Sequence, residues 1–421
     1  MGRNRPHVYF PLIILIFLGS LLLGGLTAAV TAYTENNIYL PVLNRGTMVE
    51  FRGLWITRFE WAIGKDPTPA DIDRIVDNAA TAGFNALLFQ VRGTADAYYP
   101  SPVEPWAAAL GGSLGVDPGW DPLAHMITAA HARGLQVHAY INAYPVWPYG
   151  SIPPETVPRH LYHKLADRYG MVGNKVAGLQ WNQSYEVPQE FYLRATPASF
   201  LVDEQLLAVT RDLVSRYDLD GIHLDNIRYG GRGNSCDPVT EARIGGPCFT
   251  TVPEGYASFE DWQRAQVNGT VNSVYQALFA PDENGQTRAS PGLLLSAAVW
   301  PFYESGYHNY YQDSKAWLAG GYIDSLMPML YGSFDDDVAA WQELAAGFQA
   351  DNAGRYVIPG IHGNFESFAD IAGRIAAARQ VGAAGHAIFA YSYLENRGYF
   401  DDLAAGPYRY PAVPPQVTWH P

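Results

Sequence analysis

The sequence predicts a (β/α)8 barrel, or TIM barrel, with long loops after its strands and a hydrophobic segment ahead of it. Short apolar runs recur eight times between residues 51 and 405, and helical patterns lie between them. Strands that are apolar throughout and followed by helices indicate a parallel sheet covered on both faces. Eight such strands favour a closed barrel. The alternative is an open doubly wound sheet, which usually has a glycine-rich phosphate loop after its first strand. This chain has none there.

Each element has its own local signal. The helices show capping patterns: Asp121 followed by Pro122 is typical of a helix start, and Gly83 and Gly134 are typical of helix ends. The predicted strands are 52–57, 85–92, 135–144, 221–229, 293–300, 323–331, 356–363 and 386–393. The predicted helices include 69–84, 121–134, 200–217 and 368–382.

The N-terminal pattern predicts export. Arg3 and Arg5 precede an uncharged apolar run over residues 10–30, which indicates either a cleaved signal peptide or a transmembrane anchor. Both interpretations place the rest of the chain outside the cytoplasm, with a membrane as partner if the segment is uncleaved. The predicted parts are the signal or anchor (1–35), a linker (36–50), the barrel (51–405) and a proline-rich tail extended over the surface (406–421).

Composition narrows the range of partners. Of the 421 residues, 27 are Lys or Arg and 41 are Asp or Glu, so the net charge is −14. Nucleic acid is therefore not a predicted partner, because phosphate binding needs clustered basic residues. Aromatic residues make up 14%, including 28 Tyr and 11 Trp. Their amphipathic rings suit a protein that stacks on sugars, and we expect a polysaccharide or oligosaccharide substrate.

The two cysteines, Cys236 and Cys248, lie in a stretch rich in glycine and proline. In an oxidising compartment they predict one disulfide that closes a short loop. Two thiols without a nearby His do not complete a zinc site, so we predict neither a metal nor another cofactor.

Polar and aromatic residues cluster at the carboxyl ends of the predicted strands, where barrel enzymes carry their active sites. A structural interpretation stays open for three of these residues: His138 and His223 as interior histidines, and Arg92 as an ion-pair partner. The predicted substrate-binding residues are Arg58, Glu60, Gln90, Arg92, His138, Asn142, His223, Asn226, Trp300, Tyr331, His362 and Tyr393.

Asp225 is the strongest catalytic candidate, because it ends the apolar run Gly-Ile-His-Leu-Asp and proteins rarely desolvate a carboxylate without a task or a pair. Glycoside hydrolysis needs two carboxyl groups, an acid and a nucleophile or base. Glu304, after the adjacent strand five, is the predicted second carboxyl. Its rivals are Glu60, Glu104, Asp335 and Asp336.

Five stretches resemble the glycosyl hydrolase-like 10 family of bacterial exported proteins: residues 52–57, 84–106, 119–147, 219–229 and 323–332. The resemblance implies a (β/α)8 barrel that acts on glycans, for some members those of the cell wall. It also implies that Asp225 is the nucleophile at the end of strand four. Two positions depart from the pattern of many members, Asn226 in place of Asp and Met329 in place of Gln.

Together these features predict an exported glycoside hydrolase that cleaves a polysaccharide of the cell-envelope, peptidoglycan type. One alternative is a non-catalytic glycan-binding or scaffold protein on the same barrel, because a fold does not establish an activity. Another is a metal-dependent sugar deacetylase, for which His131 and His138 lack the ligand spacing.

Overall fold

The computed structural model describes residues 48–332 and 337–420. The predicted signal or anchor, most of the linker, and the rival carboxylates Asp335 and Asp336 lie outside this part of the chain. Among the helices of the described residues, none combines the length and apolar character that a bilayer crossing requires.

Eight parallel strands form the predicted barrel. β8 pairs with β1, and the ring closes through β7, whose first part pairs with β6 and whose second part pairs with β8. The strands are β1 (Phe51–Ile56), β2 (Ala86–Arg92), β3 (Gln136–Asn142), β4 (Gly221–Asp225), β5 (Leu294–Val299), β6 (Ser325–Pro328), β7 (Tyr356–Val357 and Gly360–His362) and β8 (Gly385–Phe389).

A helix follows every barrel strand. These helices are α1 (Pro69–Ala82), α2 (Pro122–Ala132), α3 (Phe200–Arg216), α4 (Phe259–Phe279), α5 (Ser314–Ala319), α6 (Val338–Ala350), α7 (Phe368–Gln380) and α8 (Tyr391–Arg397 and Tyr399–Ala405). Short helices occupy Arg58–Trp61, Ala108–Gly111, Leu161–Tyr169, Pro238–Ile244 and Tyr303–Asn309. Short strands outside the barrel are Met48–Val49, Pro145–Pro148, Met171–Val172, Lys175–Val176, Tyr192–Arg194 and Ala412–Val413.

The predicted helix signals are confirmed. The Asp121 carboxylate accepts hydrogen bonds from the backbone amides of Leu123 (3.1 Å) and Ala124 (3.0 Å) at the start of α2. Gly83 ends α1 with φ of +91°, a conformation that favours glycine. The predicted fourth strand was too long, because Asn226 turns the chain out of β4 with φ of +52°.

The two faces of the strands pack differently. The outward face, including Val137, Ile141 and Leu224, packs in one large apolar cluster with the helices. The inward face is filled by bulky rings and by the buried His138. If residue 221 had a side chain, its Cβ would lie only 1.9 Å from the Nδ1 of His138. Gly221 therefore leaves the space in which this imidazole sits inside the barrel.

The C-terminal tail does more than extend over the surface. Trp419 Nε1 donates to Asp324 Oδ1 (2.6 Å), and His420 Nε2 lies 2.8 Å from the same oxygen. Asp324 is fully buried at the amino-terminal end of β6, and the His420 ring stacks on Phe279 of α4 at 3.6 Å between centroids. The tail thus packs against the barrel end opposite the predicted active site.

We expect Trp419→Ala to lower the free energy of unfolding by about 2 kcal/mol, because it removes a donor from a buried carboxylate together with aromatic packing. Denaturant unfolding followed by circular dichroism measures the change. Gln416→Ala is the matched control, since the contact from Tyr356 uses only the Gln416 backbone oxygen (2.6 Å). Equal stability of the two variants would show that the docked indole contributes nothing.

Candidate active site

Asp225 lies at the carboxyl end of β4, with 9% of its surface exposed. The Tyr140 hydroxyl donates to its Oδ2 (2.7 Å), and the Asn226 amide donates to Oδ1 (2.5 Å). Arg228 places a guanidinium nitrogen 3.4 Å from Oδ1. Both carboxylate oxygens are therefore oriented by named donors while part of the group still faces solvent.

This environment keeps Asp225 ionised. Burial opposes the charge, but the Arg228 guanidinium and the hydrogen bonds from Tyr140 and the Asn226 amide outweigh burial and lower the pKa of the carboxyl. An ionised carboxylate at neutral pH is the state that a nucleophile or a base of a glycosidase needs.

A loop strand from the β3–α3 segment reaches this site. Arg194, in the strand Tyr192–Arg194, donates to Asn226 Oδ1 (3.0 Å). Asn226 in turn donates to the side-chain oxygen of Asn142 (3.1 Å) at the end of β3. The predicted ligands Asn142 and Asn226 are thus brought together, in a polar network that runs from the loop to the Asp225 carboxylate.

Arg58 and Gln90 form a second polar pair on the same barrel face. The Arg58 backbone and side chain both donate to Gln90 Oε1, each at 3.0 Å, and the side chain also donates to the Tyr192 hydroxyl. This pair and the Asp225 network are therefore both in contact with the loop strand Tyr192–Arg194.

Aromatic rings surround the site at the later strands. Tyr331 stacks on Phe389 at 5.2 Å between centroids, and His362 packs edge-on against Tyr393 at 5.1 Å. Directly after β5, the half-buried Trp300 ring lies under the Arg228 guanidinium at 5.4 Å. The structure therefore brings Tyr331, His362 and Tyr393 into one cluster and places Trp300 next to Asp225 through Arg228.

Two predicted ligands lie beneath the site instead of in it. His223 is fully buried, accepts from Trp55 Nε1 (3.1 Å) and packs against Tyr140. His138 is also fully buried and packs on Phe51 near the opposite end of the barrel. Strand alternation predicts correctly that both side chains face inward, but it does not give their depth in the barrel. Because both imidazoles are fully buried, the prediction that they contact a sugar is wrong.

We expect the buried imidazole of His223 to make the protein less stable in acid. Burial lowers its pKa to about 3, so the unfolded chain binds a proton below pH 6.5 that the folded chain does not. Stability is thus fully present above pH 6.5 and falls as the pH decreases, by roughly 3 kcal/mol at pH 4 from this group.

Denaturant unfolding at several pH values measures this loss. His223→Gln should reduce the loss of stability between pH 6.5 and 4, to which the buried His138 and His386, with pKa values lowered to about 4, still contribute. A control substitution at the exposed His308, His308→Gln, should leave the loss unchanged. An unaltered slope in His223→Gln would contradict the assignment.

Arg92 and the rival carboxylate Glu104 form a buried ion pair. Their side chains are 0% and 1% exposed, and Arg92 donates to Glu104 at 2.7–3.0 Å. Gln205 donates to the same carboxylate (3.0 Å). Arg92 is therefore a structural ion-pair partner and not the predicted sugar contact. The charge of Glu104 is balanced by Arg92, so Glu104 does not fit the role of the second catalytic carboxyl.

The two other candidates for the second carboxyl differ in environment. Glu304 exposes 79% of its side chain and pairs with His308 (3.5 Å), so it does not share the buried surroundings of Asp225. Glu60 is 6% exposed and accepts from the Ser392 amide (3.0 Å) and from the Thr57 amide (2.5 Å). Burial raises the pKa of Glu60 to about 7 despite these bonds.

The predicted disulfide is present between Cys236 and Cys248. The Trp181 amide donates to the Cys236 carbonyl (2.6 Å), which ties the disulfide loop to the β3–α3 segment. The Glu241 carboxylate lies near both sulfurs, and the ligand atoms of Cys236, Glu241 and Cys248 are close enough together to hold a metal ion. Both sulfurs are bonded to each other in the disulfide, however, so they are not available as thiolate ligands.

Sequence patterns missed the contribution of the loop strand. Arg194 and Tyr192 lie in a long segment without helical or strand periodicity, so nothing local indicates that they reach Asn226 and Arg58.

Known proteins resemble this chain over most of its length. The family described as Glycosyl hydrolase-like 10 matches residues 50–358. Glycosyl hydrolase YngK of Bacillus subtilis is 27% identical over 310 residues, covering 70% of this chain and 57% of that protein. Glycosyl hydrolase DigH of Escherichia coli K12 is 26% identical over 337 residues, covering 72% of this chain and 71% of that protein. The chain thus spans little more than half the length of YngK.

Solved structures share the fold at low identity. The glycoside hydrolase domain of PgaB (BpsB) from Bordetella bronchiseptica aligns with a TM-score of 0.59 at 11% identity, covering 84% of this chain and 98% of that one. The catalytic domain of a β-amylase from Paenibacillus polymyxa aligns with a TM-score of 0.53 at 12% identity, covering 87% and 98%. These likenesses show the barrel fold.

Proposed function

This chain belongs to the glycosyl hydrolase-like 10 family, and from that premise we propose that it hydrolyses glycosidic bonds of a polysaccharide. The proposed substrate is a cell-envelope glycan of the peptidoglycan type. The N-terminal apolar run supports action outside the cytoplasm, either secreted or anchored to the membrane.

The observation that carries the proposal is the Asp225 carboxylate, held ionised at the open end of the barrel by Tyr140 and Arg228. In this proposal Asp225 attacks the sugar, or stabilises the positive charge that develops on it. The aromatic residues Trp300, Tyr331 and Tyr393, which surround the site, are the proposed contacts for sugar rings.

We propose Glu60, in the short helix that follows β1, as the general acid in place of Glu304. An acid must hold its proton near neutral pH, and the pKa of Glu60, raised to about 7 by burial, allows that while Asp225 stays ionised. Carboxyl groups whose environments separate their pKa values are the usual arrangement of an acid and its partner. The exposure of Glu304 does not provide such desolvation.

We expect Glu60→Gln to remove the alkaline limb of kcat/KM that otherwise falls near pH 7, because that limb reports loss of the acid's proton. The rate should drop most for substrates with poor leaving groups. Glu304→Gln is the matched comparison and should leave the profile unchanged. If instead Glu304→Gln removes the limb and Glu60→Gln does not, the acid is Glu304.

Release of new reducing ends tests the activity itself. Wild-type protein is incubated with peptide-free peptidoglycan strands, with oligomers of N-acetylglucosamine and with cello-oligosaccharides. Reducing ends from at least one glycan, absent in Asp225→Asn, support the proposal. Binding without any cleavage would instead support the non-catalytic glycan-binding alternative.

A further inference from the structure

A groove beside the Asp225 cluster has no part in the proposed bond cleavage. Its volume is about 440 Å³, and it is bordered by the short helix Arg58–Trp61, the loop after β2 and the loop strands Pro145–Pro148 and Tyr192–Arg194. Small-molecule sites typically measure ~300–1,000 Å³. The groove therefore has the size of a ligand site, on the barrel face where β1, β2 and β3 end.

The walls of this groove are aromatic and open to solvent. Phe59 is 46% exposed and Phe191 is 69% exposed, and the half-buried Trp147 and Tyr192 continue the same surface. Contiguous apolar surface of this kind on a soluble domain marks an interaction site more often than chance.

A buried carboxylate lies at the floor of the groove. Asp96 is 6% exposed, and its Oδ1 accepts from the Thr94 amide (2.6 Å). Its Oδ2 accepts no hydrogen bond from the described residues and is not among their buried unpaired atoms, so this oxygen is open to the groove. A ligand hydroxyl would supply the missing donor.

The groove and the candidate active site share a loop strand. Tyr192 lines the groove, and Arg194 of the same strand donates to Asn226 Oδ1 (3.0 Å). The Asn226 amide in turn donates to Asp225 (2.5 Å). One extended ligand can therefore occupy the groove and the Asp225 site together.

We propose that this groove binds a sugar ring of the same glycan chain, away from the ring whose bond is cleaved. The aromatic walls take the apolar face of the ring, and Asp96 accepts a hydrogen bond from one of its hydroxyls. This inference rests on the proposed function and deepens it: the substrate class is a chain of several sugars, not a disaccharide.

Calorimetric titration of the full chain carrying Asp225→Asn tests the groove without turnover. The probes are peptide-free peptidoglycan strands and the hexasaccharides and disaccharides of N-acetylglucosamine and of glucose. Adding Phe191→Ala or Asp96→Asn should weaken binding of the long glycan by about tenfold and leave disaccharide binding unchanged. Tyr256→Ala, which changes an aromatic residue 39% exposed outside the groove, is the matched control.

The outcomes separate this inference from the proposed function. Long-glycan binding that is the same in Phe191→Ala, Asp96→Asn and the control overturns the groove assignment and leaves the hydrolase proposal standing. Equal losses for long and short glycans also overturn it, because the variants then act through the Asp225 site. A parent protein that binds none of the probes overturns both.

Discussion

Asp225→Asn is expected to lower turnover by roughly three orders of magnitude or more while the fold and glycan binding persist. The amide keeps the shape of the carboxylate: its oxygen can accept from the Asn226 amide, and its NH2 group can donate to the Tyr140 hydroxyl oxygen. It cannot act as a nucleophile or balance the positive charge on the reacting sugar. Reducing-end release measures turnover, and titration with the uncleaved glycan measures binding.

A matched control separates chemistry from stability. Asp218→Asn removes a carboxylate that is 94% exposed on the chain leading into β4, and it should leave turnover and unfolding unchanged. If well-folded Asp225→Asn protein hydrolyses its substrate at near the wild-type rate, Asp225 is neither the nucleophile nor the stabilising carboxylate of the reaction.

Glu104→Gln is expected to lower the free energy of unfolding by about 3–5 kcal/mol, because it leaves the Arg92 guanidinium charged and buried without its counter-ion. The Arg92 charge and hydrogen bonds outweigh burial and lower the pKa of Glu104. Its contribution is therefore present above the ordinary glutamate pKa and is lost as the pH falls below it. Denaturant unfolding at pH 7 measures the effect.

Two further variants test the cause. Glu155→Gln breaks an exposed pair with Arg159 (3.2 Å) and should cost at most about 1 kcal/mol. The double variant Arg92→Met with Glu104→Leu removes both charges and should be more stable than Glu104→Gln alone. A Glu104→Gln protein as stable as Glu155→Gln would contradict the assignment of a buried, coupled pair.

The barrel was predictable because its information is local. Each strand is an uninterrupted apolar run, and caps such as Asp121 and Gly83 mark where helices begin and end. Asp225 stood out for a related reason, since a carboxylate directly after an apolar run is rare without a function. The inward face of β3 and β4 followed from strand alternation.

The rest depends on contacts between residues that are distant in sequence. Nothing around Arg92 indicates that Glu104 folds back to neutralise it, and nothing around Arg194 indicates that it reaches Asn226. Alternation gives the face of His138 but not its depth in the barrel. The place of Glu304 after β5 predicts its end of the barrel but not its exposure, which is set by how the loop packs.

The two ends of the barrel chain meet. The Glu50 amide donates to the Val413 carbonyl (2.9 Å), next to the tail that packs on Asp324. Ends this close can be joined by a short linker, so the order of the elements along the chain can be rotated without changing their places in space. An exposed turn such as 282–286, between α4 and β5, offers a site for new termini. The barrel can thus be circularly permuted without opening its active-site face.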